Sequence, residues 1–148
     1  MISGFFNENR YLSNYYYAPF VYEGKLFQTV EHAFHYFKVD EKKDLPADDI
    51  NSWRYRILNA FTPGAAKKLG RMCPMRTDWD SIKVAEVKKM VREKFEQNPD
   101  LMKKLLATGS EYLEETNTWN DKFWGVCNGV GQNNLGKILM EIRDERVK

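Results

Sequence analysis

Glu31, His35 and Lys38 stand at i, i+4 and i+7 in the chain. At about 100° per residue, seven helical steps return to within about 20° of the start. A helix through this stretch puts a carboxylate and an amine on one face, two turns apart. Such a pair serves acid/base or covalent carbonyl chemistry when burial shifts its protonation. The same spacing fits a solvated Glu and a Lys snorkelling along a surface helix, and spacing alone leaves both readings open. His32 and His35 form a His-x-x-His pair, which binds zinc only when further ligands arrive. The chain has 2 His and 2 Cys, and Cys73 and Cys127 lack metal-ligand spacing, so no metal site is expected.

Two further clusters set Trp beside carboxylates: Asp78-Trp79-Asp80, and Trp119-Asn-Asp121-Lys-Phe-Trp124-Gly125. A Trp at a loop or helix start plugs the core or stacks on a planar ring, and Asp beside it holds a hydroxyl, moves a proton or caps a helix. Gly131-Gln-Asn-Asn-Leu-Gly136-Lys137-Ile138 imitates a P-loop but lacks the Ser or Thr that holds magnesium. Its glycines either supply positive φ or let backbone N–H groups meet a phosphate at a helix start.

These groups need a scaffold, and composition limits its kind. A chain of 148 residues fits a single domain, 1–148, with a core large enough to need no disulfide. A net charge of +2 gives no global attraction to nucleic acid or anionic lipid. No apolar run spans a bilayer, so no membrane partner is expected, and the cysteine usage fits a reduced, cytoplasmic protein. The basic residues at 83–104 interleave with acids, as on a solvated helix face. Of the 21 aromatics, twelve fall in residues 1–37, which hold five charged residues. A uniform spread would put about a quarter there, so this segment is a dense core element or a platform for a flat ligand.

Turn and cap signals divide the chain. Residues 20–27 read as a hairpin about Glu23-Gly24. Thr29 caps a helix running through about Val39. Residues 40–52 read as a surface loop without chemistry. Helices are expected over 53–61, over a segment begun by Thr62-Pro63 and ended by Gly70, and from Asp80 or Ser81 through about Gln97. Val84, Val87, Val91 and Phe95 give the last of these an apolar face. Asn98-Pro99 opens another helix closed by Gly109; short and long helices follow over 110–115 and 134–145. The fold class is mainly α (α+β), with a small antiparallel β element near the N-terminus.

Taken together, the motifs resemble a known family. They include Tyr11-Leu-Ser-Asn14-Tyr15, Val30-Glu31-His32-Ala33-Phe34, Thr62-Pro63-Gly64, Arg76-Thr-Asp78-Trp79-Asp80, Asp121-Lys-Phe-Trp124-Gly125 and Asn134-Leu-Gly136-Lys. In that order, over about residues 5–143, they are similar to the NADAR (NAD- and ADP-ribose-associated) or YbiA-like family. The resemblance implies a compact, mainly helical domain and N-glycoside hydrolysis, with no cofactor. The implied substrate is a ribosylaminopyrimidine phosphate of the riboflavin pathway, or ADP-ribose on guanine in DNA. It implies Glu31, Lys38 and Asp121 as catalytic residues, with Lys38 capturing the ribose C1 as a Schiff base. Asn14, Tyr15, Trp79, Trp124 and Asn134 are implied to bind substrate. The alternative is a non-catalytic ADP-ribose or NAD binding module.

An N-glycosidic cleavage builds positive charge on the sugar. Glu31 is the expected carboxylate beside that charge. Phe34 and Phe37 are expected to back the helix, and Tyr11 and Tyr15 to touch the ligand.

Overall fold

In the computed structural model, which describes residues 1–147, short strands alternate with six α-helices. The order is β1 (Ile2–Ser3), β2 (Phe20–Tyr22), β3 (Lys25–Phe27), α1 (Val30–Lys38), α2 (Trp53–Leu58), α3 (Pro63–Met72) and α4 (Trp79–Gln97). Then come α5 (Pro99–Ala107), β4 (Leu113–Glu114), β5 (Thr116–Asn117), β6 (Val126–Cys127) and α6 (Asn134–Val147). Two compact units result. One is Tyr17–Gln97; the other joins residues 1–16 to the segment from Asn98 onward.

Local chemistry explains most of the first unit. β2 and β3 pair antiparallel through a turn at Glu23 and Gly24, whose φ angles are 52° and 76°. Two positive φ values at the turn centre match the right-handed twist of the flanking strands. Thr29 caps α1 by accepting the His32 N–H at 3.1 Å. Ser52 and Thr62 cap α2 and α3 in the same way, and Pro63 opens α3 where no N–H is needed. Helix α1 packs on α2, α3 and α4, and its ends are fixed from both sides. The imidazole of His32 contacts Thr29 Oγ1 at 2.7 Å and the Ala60 carbonyl at 3.0 Å. A carbonyl only accepts, so Nε2 carries the hydrogen and Nδ1 accepts from the hydroxyl. At the other end, Lys38 O accepts the Arg76 N–H at 3.0 Å, and Asp40 N–H donates to Pro74 O.

In the second unit, β1 pairs parallel with β4, and β5 with β6. Leu105, Leu113, Leu139 and Ile142 are almost fully buried there. Arg143, 4% exposed, donates from Nη1 to Thr108 Oγ1 and to the Glu111 carbonyl, so its guanidinium enters the core already hydrogen-bonded.

Four expectations are corrected. Residues 110–115 are not helical: Leu113–Glu114 pairs with Ile2–Ser3, more than a hundred residues away. Helix α4 starts at Trp79, before Asp80 and Ser81; the Asp78 carbonyl accepts the Ser81 and Ile82 N–H groups, while its carboxylate faces Arg76. Gly70 lies inside α3, which continues to Met72 before Pro74. Within the basic run, Lys94 is 1% exposed, its Nζ 5.1 Å from the Phe95 ring centre.

Candidate active site

Helix α1 carries the first group of expected site residues. Glu31 and Lys38 share its face, as the uninterrupted helix from Val30 to Lys38 requires. Glu31 Oε1 lies 2.7 Å from His35 Nε2, with side chains 14% and 5% exposed. Lys38 is half-buried, and burial pushes its ammonium below the usual lysine range. Cys73 and Glu31 oppose that shift, and Arg71 and Lys83 add to it. No hydrogen bond or ion pair engages Lys38 Nζ among the described residues. A desolvated, uncommitted amine is the state a nucleophilic lysine needs.

Aromatic packing backs this face. Phe34 meets Trp79 edge to face, and Phe37 packs against Tyr22 and Phe27. Trp79 is 1% exposed, so it belongs to the packing behind α1 rather than to an open stacking plate.

The other unit holds Asn14, Tyr15, Asp121, Trp124 and Asn134. Asp121 Oδ1 accepts the N–H groups of Phe123 (3.1 Å) and Trp124 (2.9 Å), an Asx turn that orients the Trp. Asn134 Nδ2 donates to Phe123 O at 2.9 Å. The carboxylate, the Trp and the Asn thus form one hydrogen-bonded turn. Trp124 stays part-exposed, with Phe123 edge-on to its ring. Tyr15 is 42% exposed, whereas Tyr11 is buried and donates its hydroxyl to Lys104 O at 3.2 Å. Asn14 Oδ1 is buried with no hydrogen-bond partner. A buried acceptor left unmatched is costly, and a ligand donor would satisfy it.

Four successive N–H groups between the glycine loop and α6 are already taken by carbonyls. Gln132, Asn133, Asn134 and Leu135 donate theirs to the carbonyls of Lys122, Gly125, Phe123 and Trp124. Gly131 is required by close approach: a Cβ there would meet the Gly125 carbonyl.

A cavity of about 420 Å³ opens at the C-terminal end of α1, lined by Tyr36, Phe37, Asp40, Arg54, Arg76 and Asp78 among others. None of the expected site residues lines it. Its guanidiniums are committed: Arg76 grips Asp78 through two bonds of 2.6 and 2.9 Å, and Arg54 Nε donates to Asp44 at 2.9 Å. Asp44, whose side chain is 1% exposed, was not visible as an anchor in the polar loop at 40–52.

The NADAR domain family model matches residues 4–146. The chain belongs to the NADAR family. It is 38% identical over 137 residues to the N-glycosidase YbiA of Shigella boydii, covering 90% of this chain and 79% of that protein. The NMR structure of Escherichia coli YbiA superposes with a TM-score of 0.83 at 34% identity, covering 99% of this chain and 84% of that one. A riboflavin biosynthesis protein of Vibrio vulnificus is 34% identical over 138 residues, which span 91% of this NADAR chain and 35% of that protein. The mainly helical fold with one small antiparallel hairpin agrees with the family structure.

Proposed function

We propose that this N-glycosyl hydrolase of the NADAR family cleaves the base–ribose bond of a ribosylaminopyrimidine phosphate. The observation that carries the reading is the Glu31–Lys38 face of α1, where a carboxylate and an amine made less basic by burial stand two turns apart. As the C1–N bond lengthens, Glu31 stabilises the positive charge growing on the sugar. Neutral Lys38 bonds to C1 through Nζ, and the base leaves with a proton. The ring opens to a C1=N Schiff base, and water then returns the amine and frees the sugar phosphate. The net change is one water consumed and one glycosidic bond cut. Asp121 serves through the turn that carries Trp124; Trp124 and Tyr15 contact the ligand, with Asn14 and Asn134 positioning it. The Vibrio relative's name supports the riboflavin-type substrate.

A substrate panel with products identified by mass tests this. Ribosylaminopyrimidine phosphates are compared with guanine-ADP-ribosylated DNA and with ADP-ribose. Release of free base from the first supports the reading. Release of ADP-ribose from DNA moves the substrate to modified guanine. Binding of ADP-ribose with no release from either substrate makes the chain a binding module and overturns the reading.

A further inference from the structure

We infer that His35 is a positioning residue for Glu31, holding its carboxylate in one pose on the face shared with Lys38. The inference rests on the reading of Glu31 as the carboxylate beside the sugar.

The pair is short and sheltered. His35 Nε2 and Glu31 Oε1 are 2.7 Å apart, with the imidazole 5% and the carboxylate 14% exposed. A carboxylate accepts, so Nε2 carries the hydrogen and donates it. His35 Nδ1 is buried with no partner. The ring's one hydrogen bond therefore goes to Glu31, and Nδ1 stays unmatched. His32 differs, since both its ring nitrogens are tied to scaffold atoms of Thr29 and Ala60. The two histidines of the His-x-x-His pair thus divide their work: one fixes the helix, the other its carboxylate.

The fold accommodates this ring in particular. A Cβ on Gly70 would meet His35 Nδ1 and Cγ, and would come within 2.9 Å of His35 Cβ. Glycine inside a helix is less favourable than alanine. Here it opens the seat in which the imidazole lies against α3. Phe34 closes another side, its ring centre 4.9 Å from that of His35 with the planes at 90°. A ring clamped in this way has its Nε2 direction fixed, and the Glu31 carboxylate inherits that direction through the bond. Unanchored, a glutamate side chain wanders among rotamers, and small misplacements of a reacting group are expensive in rate.

The experiment compares His35→Gln with His35→Met. Both fill the seat, but only glutamine offers a donor at the same helical spacing. Turnover is followed on the substrate that the panel identifies, and folding by thermal melting. The expected result is a kcat loss of about tenfold to a hundredfold in His35→Met with little change in KM. His35→Gln restores most of that loss. Gly70→Ala, which disturbs the seat without removing either polar group, lowers kcat in the same direction. Equal kcat in the Gln and Met variants overturns the inference. Full activity of Glu31→Gln instead overturns the role of Glu31, which separates the two failures. Imidazole 15N spectra give a readout that needs no turnover. His35 is expected as the Nε2–H tautomer, and an Nδ1–H tautomer overturns the inference.

Discussion

Trp79 meets Phe34 edge to face, with ring centres 5.2 Å apart and planes inclined at 65°. The contact joins the first turn of α4 to the helix that carries Glu31 and Lys38. Because Trp79 is 1% exposed, its removal acts first on stability. Trp79→Ala is expected to lower the unfolding free energy by about 3–5 kcal/mol, and Trp79→Phe by less. Urea denaturation followed by circular dichroism measures both. A Trp79→Ala chain of unchanged stability would refute the packing role.

In the role proposed for it, Lys38 sets the pH profile. Its ammonium loses a proton below the ordinary lysine value of about 10.4, because burial disfavours the charged form. In the proposed mechanism the neutral amine is the reactive species, so kcat/KM is expected to rise with pH along a limb centred below that value. Borohydride added during turnover should fix the sugar to the protein, seen as added mass. Lys38→Arg, charged at every working pH, should show neither the limb nor the adduct.

Asp44 is the anchor of the loop before α2. Burial by itself would raise its carboxyl. Bonds from the Arg54 side chain and from the Trp53 and Arg54 N–H groups more than offset this and hold it below the usual range. The ionised group therefore stabilises the fold fully above the unfolded value of about 3.9, and this contribution fades as pH falls through the lower folded value. Asp44→Asn is expected to cost about 3 kcal/mol at neutral pH, with a gap to wild type that narrows in acid. Thermal melts across the acidic range read the gap; a constant difference counts against the ion pair.

Asn14 and Asp121 should respond in opposite ways. Asn14 Oδ1 bonds to nothing in the protein, so Asn14→Ala is expected to leave melting unchanged or raised while KM rises. Asp121 Oδ1 holds two N–H groups, so Asp121→Ala should lose about 1–2 kcal/mol of stability and disturb the Trp124 indole, read by fluorescence. Matching stability losses in the two variants would contradict this division.

Features written in neighbouring residues were legible. Thr29, Ser52 and Thr62 each accept a helical N–H, and Glu23-Gly24 makes the hairpin turn; each signal is complete within a few positions. The shared face of Glu31 and Lys38 follows from helical periodicity alone. The misread segments depend on distant partners. Nothing near Leu113 announces that Ile2 will pair with it, and Gly70 resembles a helix stop until the imidazole of His35 is seen against it. The loop before α6 resembles a phosphate cradle because composition does not reveal that its N–H groups face the carbonyls of residues 122–125. Asp44 was missed among other acids, since its value lies in the two residues that begin α2.

The side chain of Gln97 has a consequence for how the hairpin behaves among other proteins. Its amide accepts the Val21 N–H at 2.7 Å and donates to the Val21 carbonyl at 2.8 Å. One side chain thus occupies both hydrogen-bonding groups that the middle of β2 turns outward. Val21 and Leu26 stand opposite each other and are 50% and 63% exposed, a sticky pair on a short ribbon. An unblocked ribbon of this kind invites a passing strand to extend it. Gln97 acts as a stopper at that edge, and β2 is closed to strand addition at its midpoint.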